Sequence, residues 1–538
     1  MVTRSPDQLG LAARHIVDNL RRVVPASDGD GRVPVVALFP HPEVAARLVD
    51  DSAELRRRFP PPTHALTLVL PSTRLVAYAA AEVQRALAGC RLLQVDDAGF
   101  VNQMRALTGA PFDVEIGGRR FVHVWRQRFV SRHVAALLDD EDTVDHGHPG
   151  DLLVQQVAGG TVHPLEVPRQ PQSAGQRHGG VTDASGAFVA LSATERTNAR
   201  HLRTPLADWY TGPNPARRDE PVACVDEDVV FLGAMSAHYG HFLLESLGRL
   251  WFFLSEAHRA RYRAVYIGDP GVEPFMAVFR FFGLRPENLL RIDRPTRFRS
   301  VVVPQQSMRI QDRFHPLYKQ TIDRIQAGVP AAGHAKVYFS KEKRNNYRGI
   351  GERPMEEVFV RNGFQLFYPE QMSMAETISV LKGCRQFAAS SGTNAHNALF
   401  LPDGARCITL NRSPHVHPVQ TMIDRMKGLD AVYVEANVSL LPADWSGGPF
   451  LFGPTRHLFD FFDHAGMQCD RDAMRAAFPA HLAEFLRVWG HVYADPRRQN
   501  AVEPHEQVLP FHNLIDSVVD TFVHQPAKPD APPWTAAA

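Results

Sequence analysis

The sequence has few cysteines and no long apolar run. Its five cysteines among 538 residues are scattered, odd in number and without a C-x-x-C pair. This pattern argues against a disulfide framework and against a zinc site built on thiolates. No apolar stretch approaches the ~20 residues that a membrane helix needs, and the amino terminus lacks the apolar core of a secretory signal. We therefore expect a cytoplasmic protein, at most peripheral at the inner face of a membrane.

An excess of charge of either sign is also missing. The formal net charge is +1, and only short clusters such as Arg56–Arg58 break the balance. Without a basic stripe we expect no nucleic-acid partner. A content of 44% hydrophobic and 22% charged residues is that of an ordinary globular protein. Because one core rarely organises a chain of this length, we expect two or three domains.

The common phosphate-binding and metal-binding motifs are absent as well. The chain has no G-K-[ST] loop of the Walker type and no G-x-G-x-x-G turn at a strand-to-helix junction. An acidic run at 139–142 is followed by His146 and His148. Adjacent side chains cannot all converge on one ion, so we predict a loop here and no metal site.

From about residue 221, short apolar stretches alternate with segments of helical periodicity. We predict strands at 229–232, 262–267, 300–303, 336–340, 364–367, 386–389 and 406–410, and helices at 240–255, 274–282, 354–362, 374–382 and 395–400. This alternation is typical of parallel sheets covered by helices on both faces. It predicts two doubly wound, Rossmann-like α/β domains, at 221–330 and 331–436.

The regions on either side carry weaker signals. Residues 1–220 read as an additional α/β region, with a helix at 6–22 and strands at 33–39, 65–70 and 91–95. Residues 437–538 read as a helical extension with a helix at 471–488 and a disordered tail rich in proline and alanine.

The segment Ala237–Trp251 is the first that could carry chemistry. A helix beginning near Gly240 would place His241, Glu245 and Arg249 on one face. A histidine held by a carboxylate one turn away can act as a general base. The alternative is a helical ion pair with a buried structural histidine. His238 lies just ahead, at a strand-to-helix junction of the kind that lines the crevice of open α/β sheets.

Two later segments suit a phosphate-bearing ligand. In Tyr338–Arg348 a strand runs into a loop with four cations in eight positions, which would face phosphate oxygens at the edge of a sheet. An ordinary charged surface loop is the alternative. In Ala388–Phe400 small residues between a strand and a helix form a close-approach turn, whose N–H groups can face an anion. Together the two segments fit a diphosphate.

These segments, in this order, resemble glycosyltransferase family 61. Its members show Y-G-H-F-L-x-[DE]-x-L-x-R-L, a Y-I-S-R loop rich in arginine, G-F-x-x-x-x-P-E-x-[LM]-[ST] and H-G-A-G-x-x-N-x-x-F-x-P-x-G. The counterparts here are Tyr239–Leu250, Tyr338–Arg348, Gly363–Ser373 and Ser391–Gly404. The resemblance covers roughly 221–415.

The resemblance implies a GT-B fold, in which two Rossmann-like domains face a cleft, and an inverting transfer from a UDP-sugar without a metal ion or other cofactor. It implies an acceptor that is a bacterial surface or capsular glycan, or its lipid-linked precursor, and leaves homo-oligomers or association with other polysaccharide-synthesis enzymes open. His241, Glu245 and then His238 are the candidates for the catalytic base or its orienting partner. The implied donor-binding residues are Ser340, Lys341, Arg344, Arg348, Glu370, Ser391, Gly392, Thr393, Asn394, His396 and Asn397.

The chain departs from the family pattern on the donor side. Lys341 stands for the arginine of the loop, Ser391–Asn394 replaces H-G-A-G, and Thr409 replaces a glutamate. These departures motivate two alternatives. One is a noncatalytic relative that binds glycan or a partner enzyme, and the other is a sugar-phosphate transferase.

Overall fold

Most of the chain beyond residue 150 is described by the structure, a computed structural model. The described residues are 11–24, 31–39, 52–53, 55–71, 85, 87–95, 113–116, 118–123, 129–131, 134–135, 137–138, 141, 146–148, 150–166, 177–198, 204–206, 212–214, 220–269, 271–344, 349–439, 441, 443 and 447–494. The predicted carboxyl-terminal tail and most of the loop at 139–148 lie outside them.

A small sheet lies at the amino-terminal end. Its strands are, in spatial order, Arg91–Val95, His64–Pro71, Val33–Leu38, Arg119–His123 and Asp113–Ile116. All neighbours are parallel except the last pair. The helix Leu11–Val23 covers one face, because Ile16, Val17 and Leu20 pack in one cluster with apolar residues of the strands. The predicted helix and three strands are therefore present within the described residues.

A seven-stranded sheet follows. Four parallel strands lie in the order Leu289–Arg291, Arg263–Gly268, Ala223–Met235 and Thr296–Pro304. The antiparallel strands Val154–Ala158, Thr161–Glu166 and His178–Thr182 extend this sheet beyond Thr296–Pro304. The sheet thus joins residues from before and after position 220.

A five-stranded sheet, parallel throughout, forms the next layer. Its spatial order is Gln365–Phe367, Lys336–Phe339, Gln386–Ser390, Arg406–Asn411 and Asp430–Glu435. Alternate residues of its strands enter different apolar clusters: Phe339 and Phe387 lie in one, Tyr338 and Ala388 in the other. Both faces are therefore buried, as expected for a parallel sheet. The prediction of a mixed α/β fold with parallel sheets is confirmed.

Helices and short strand pairs complete the described elements. The α-helices after residue 230 are Tyr239–His241, Glu256–Arg261, Ala277–Phe282, Pro316–Ala327, Arg353–Arg361, Met374–Lys382, Pro418–Met426, Arg456–His464 and Arg471–Tyr493. The 3₁₀-helices are Ala190–Ser192, Leu250–Leu254, Glu273–Phe275, Pro286–Asn288, Pro369–Gln371 and Ala395–Phe400, and Phe242–Ser246 is a π-helical turn. The two-stranded pairs are Arg196–Asn198 with Thr204–Leu206, Met308–Arg309 with Arg313–Phe314, and Gly349–Ile350 with Phe450–Leu451.

One apolar core is shared by the last two sheets. Val230 and Leu232 of the seven-stranded sheet belong to the same buried cluster as Phe339 and Phe387 of the five-stranded sheet. Within the described part of the chain, no helix is both long enough and apolar enough to cross a bilayer.

The predicted helix over 240–255 is not regular. The chain forms one α-turn, a π-helical turn and then a 3₁₀-helix, Leu250–Leu254. At Gly248, where the backbone changes course, an added Cβ would lie 2.9 Å from the Gln306 side chain. This close approach to the loop after Thr296–Pro304 is a tertiary contact that periodicity does not report.

Candidate active site

Strand order identifies where each of the two larger sheets can open a crevice. In the seven-stranded sheet the strands after Ala223–Met235 are first added on one side of it, and Thr296–Pro304 is then added on the other side. The five-stranded sheet has the same reversal of strand order between Lys336–Phe339 and Gln386–Ser390. Ligands of open α/β sheets bind outside the carboxyl ends of strands at such switch points. The residues directly after Met235, Phe339 and Ser390 therefore lie at the positions where such ligands bind.

Ser246 fixes the chain that leaves Met235. Its hydroxyl donates to the Ala234 carbonyl at 3.0 Å and accepts from the Ser236 amide at 3.0 Å. The Ser236 hydroxyl in turn accepts from the His238 amide at 3.2 Å. These bonds tie the strand end to the π-helical turn and hold His238 at the carboxyl edge of the sheet.

His241 and Glu245 form the pair expected from their spacing. The Nδ1 atom of His241 lies 2.8 Å from Oε2 of Glu245. The Glu245 side chain is 2% exposed, whereas that of His241 is 38% exposed. A buried carboxylate that accepts from Nδ1 leaves Nε2 as the nitrogen that can take up a proton. The geometry suits a general base that is open to a ligand.

His238 lies beside this pair as a neutral ring. Its ring centroid is 4.9 Å from that of His241. Burial, followed by the charges of His241, Arg344 and Lys341, lowers the pKa of His238 to about 4. At neutral pH its ring can therefore donate one hydrogen bond and accept another, but it carries no charge.

Arg249, the third residue of the predicted face, is held by backbone carbonyl groups of other segments. Its guanidinium is buried and donates to the carbonyl groups of Leu191, Ala193 and Pro304. Arg249 thus ties the segment to residues 191–193 and to the end of Thr296–Pro304.

Lys341 is a buried cation at the switch point of the five-stranded sheet. It follows Ser340, whose hydroxyl accepts from the Glu342 amide at 3.0 Å. Lys341 is 7% exposed, and its ammonium forms no hydrogen bond or ion pair with any described residue. A buried ammonium without a partner is costly. An anion bound here would remove that cost.

The surroundings of Lys341 disfavour its charge. Burial, and then the nearby Arg412 and Arg344 guanidinium groups, lower the pKa of Lys341 to about 7, although the Glu352 and Glu370 carboxylates act in the opposite direction. An added phosphate group would raise that pKa again.

Two other predicted donor-binding residues, Arg344 and Glu370, lie near Lys341. Arg344 is exposed, and its amide donates to the Lys341 carbonyl at 2.9 Å. Burial raises the pKa of Glu370, which lies in the 3₁₀-helix Pro369–Gln371 near Lys341 and Arg344. Arg348 lies outside the described residues.

The turn after Ser390 packs against Arg412. Gly392 has φ +98°, and a Cβ added to it would lie 2.8 Å from a guanidinium nitrogen of Arg412. The Ser391 hydroxyl accepts from the Arg412 amide at 3.2 Å, and the guanidinium lies 4.3 Å from the Phe450 ring centroid. Glycine is needed here because any side chain would push this cation away.

The rest of the turn is held by side-chain amides. Asn394 donates to the Phe339 carbonyl at 2.9 Å, which joins the ends of the two switch-point strands. Asn397 donates to the Asn394 carbonyl at 3.0 Å. His396 is buried, with Nδ1 3.1 Å from the Gln420 amide oxygen.

The two switch points touch. A Cβ added to Gly240 would lie 3.2 Å from the Thr393 hydroxyl, and the Tyr239 hydroxyl donates to Oδ1 of Asn397 at 2.6 Å. The structure therefore brings the segment that carries His238, His241 and Glu245 next to the turn that carries Thr393 and Asn397.

Sequence reasoning missed Arg412 and Tyr239. Arg412 follows the strand Arg406–Asn411 directly, so the rule that ligands bind beyond the carboxyl ends of parallel strands could have found it. Nothing in the local pattern signals the bond from Tyr239 to Asn397, which are 158 positions apart.

Comparison with known proteins agrees with the motifs. Residues 239–408 match the family model described as Glycosyltransferase 61. This match confirms the resemblance and indicates a glycosyltransferase. It spans both sides of the site, from Tyr239 to the strand Arg406–Asn411. No curated protein matches the chain.

Proposed function

We propose that the protein is an inverting glycosyltransferase that moves a sugar from a UDP-linked donor to a bacterial surface or capsular glycan, without a metal ion. The observation that carries this proposal is Lys341, a buried cation at one switch point whose ammonium has no hydrogen bond or ion pair with the residues that the structure describes. Arg412 lies near it, and the His241–Glu245 pair lies across the contact between the two sheets.

The contact between the two carboxyl edges supports a GT-B arrangement. In that arrangement each sheet belongs to its own Rossmann-like domain, and the ligand cleft lies between them. The bond from Tyr239 to Asn397 and the approach of Gly240 to Thr393 join the edges where such a cleft would lie.

The chemistry follows from the two groups of side chains. The acceptor hydroxyl attacks the anomeric carbon as the bond from that carbon to the diphosphate oxygen breaks. His241 takes the hydroxyl proton on Nε2, and Glu245 stabilises the imidazolium that forms. Attack from the side opposite the leaving group inverts the anomeric configuration.

Basic side chains would take the place of a metal ion. The leaving diphosphate gains negative charge, which Lys341, Arg412 and Arg344 can balance through charge-assisted hydrogen bonds. Arg412 can bind bidentately, and Lys341 acts as a point charge.

The proposal is tested by isothermal titration of UDP, GDP and CDP into the wild type and two lysine variants. Lys341→Met removes the buried cation, whereas Lys343→Met removes an exposed one from the same loop. A charge-assisted bond contributes about 1.5–3 kcal/mol, so we expect Lys341→Met to weaken UDP binding by about 10- to 100-fold. Lys343→Met should stay within about twofold of the wild type.

Two results would overturn the proposal. One is the absence of binding by any of the three nucleotides, which would favour a noncatalytic relative. The other is equal affinity of Lys341→Met and the wild type. Analysis of the product then separates the remaining alternative, since a phosphodiester in the product would identify a sugar-phosphate transferase.

A further inference from the structure

His396 is a buried histidine beside the proposed donor site. It is 3% exposed, and its ring lies edge-on to that of His417 with 4.6 Å between centroids. Burial, together with the charges of Lys341 and Arg412, lowers the pKa of His396 to about 3. The ring is therefore neutral at physiological pH, with a proton on one nitrogen and a lone pair on the other.

A chain of hydrogen bonds decides which nitrogen carries the proton. Tyr433 donates to Oδ2 of Asp424 at 2.6 Å, and the Gln420 amide nitrogen donates to Oδ1 at 2.9 Å. A carboxylate only accepts, so the Gln420 amide oxygen is turned toward His396. That oxygen lies 3.1 Å from Nδ1, which must therefore donate. The lone pair is on Nε2.

Nε2 is left as an acceptor near cationic side chains. It has no hydrogen-bond partner among the described residues. Its electrostatic neighbours include Lys341, Arg412 and His241. A lone pair repels phosphate oxygens but accepts from a hydroxyl group. In a UDP-sugar donor, the transferred sugar is the part that places hydroxyl groups near both the diphosphate and the proposed catalytic base, His241.

We propose that His396 accepts a hydrogen bond at Nε2 from a hydroxyl of the transferred sugar. Gln420, Asp424 and Tyr433 are positioning residues that keep the lone pair on that nitrogen. This inference rests on the proposed function, because the sugar must lie between the diphosphate cations and His241 for transfer to occur.

The first experiment separates the sugar from the nucleotide. UDP and the UDP-linked hexose, N-acetylhexosamine and pentose are titrated into the wild type, His396→Phe and His396→Gln. Phenylalanine keeps the ring but removes the acceptor, whereas glutamine can return an acceptor near the Nε2 position. His396→Phe should bind UDP within about twofold of the wild type, lose the extra affinity for the preferred UDP-sugar and turn over about 10- to 100-fold more slowly. His396→Gln should recover part of both losses.

The second experiment tests the positioning chain. In Asp424→Asn the new amide oxygen can still accept from Tyr433, while the amide N–H₂ faces Gln420. The side-chain amide of Gln420 can then flip, so that its oxygen accepts from the asparagine and its nitrogen faces His396. Nδ1 of His396 would then accept, and Nε2 would carry the proton. Long-range ¹H–¹⁵N spectra of labelled histidine should show Nδ1 protonated in the wild type and a shift toward Nε2 in Asp424→Asn. The sugar-dependent affinity should fall with that shift.

The outcomes distinguish the two proposals. If no nucleotide binds to the wild type, the proposed function fails and this inference fails with it. Another outcome is that nucleotides bind to the wild type while His396→Phe lowers the affinities for UDP and UDP-sugar equally, or lowers neither of them. In either case His396 does not bind the sugar, and the proposed function still stands. A wild-type spectrum with Nε2 protonated would also overturn the inference, whatever the stability of the variants.

Discussion

At the scale of single residues, Lys341 decides how the site responds to pH. Its pKa of about 7 means that the ammonium is largely charged below neutral pH and loses its proton above it. In the proposed function the charged form would bind the diphosphate, and a bound diphosphate would in turn stabilise the charge.

We therefore expect the affinity for UDP to be level below pH 7 and to fall as the pH rises above it, by up to about tenfold per pH unit. Binding at pH 8 should take up a proton, which titration in buffers of different ionisation enthalpy measures. Lys341→Arg keeps its charge throughout this range, so its affinity should be level. The same pH dependence in both proteins would show that Lys341 does not titrate on binding.

At the scale of elements, the turn Ser391–Asn394 depends on a glycine. Gly392 and Gly404 both have positive φ, +98° and +75°, but only Gly392 lies against another group. An alanine at either position bears a similar backbone strain of about 1–2 kcal/mol. The contact with Arg412 is what differs between them.

Gly392→Ala should displace the Arg412 guanidinium and weaken UDP binding by about tenfold. Gly404→Ala should lose comparable stability but bind UDP as the wild type does. Thermal unfolding and titration of both variants measure the two effects separately. Equal loss of UDP affinity in both would mean that the turn matters through its stability alone.

The elements also show what the sequence can and cannot predict. The strands Lys336–Phe339 and Arg406–Asn411 and the helix Met374–Lys382 lie where apolar runs and helical periodicity indicate. The segment after Gly240 does not, because its course is set by contacts with Gln306 and with residues 191–193. Such contacts join distant parts of the chain, and no local pattern carries them.

The candidate site divides in the same way. The pairing of His241 with Glu245 follows from helical spacing over one turn, which the π-helical turn preserves. The burial of Lys341 and its shifted pKa could not be foreseen, because they depend on distant residues, such as Arg412 and Glu352, that the fold brings near it. The spacing of two residues along one helical turn brings them together even where the backbone is irregular. The electrostatic environment of a side chain, in contrast, depends on the whole folded chain.

At the scale of the whole molecule, the two larger sheets are joined through the site itself. The bond from Tyr239 to Asn397 runs between their carboxyl edges. Removing the hydroxyl leaves a buried amide oxygen without its donor, at a cost of about 1–3 kcal/mol.

Tyr239→Phe should therefore lower the melting temperature and reduce turnover while leaving UDP affinity nearly unchanged, because the cations lie on one sheet and the base on the other. Tyr266→Phe is the control, since the Tyr266 hydroxyl forms no hydrogen bond with any described residue. If Tyr239→Phe weakened UDP binding as strongly as turnover, the bond would serve the donor site rather than the alignment of the two edges.

We propose that a base on one sheet acts on a donor held by the other, and Glu245→Gln removes the carboxylate that supports this base. The measurement is the release of nucleoside diphosphate from the UDP-sugar that binds best, for the wild type, Glu245→Gln and the control Glu256→Gln on the exposed helix Glu256–Arg261. We expect Glu245→Gln to bind the donor normally but to turn over about 100-fold more slowly, whereas the control should behave as the wild type. Full turnover by Glu245→Gln, with donor binding intact, would contradict it.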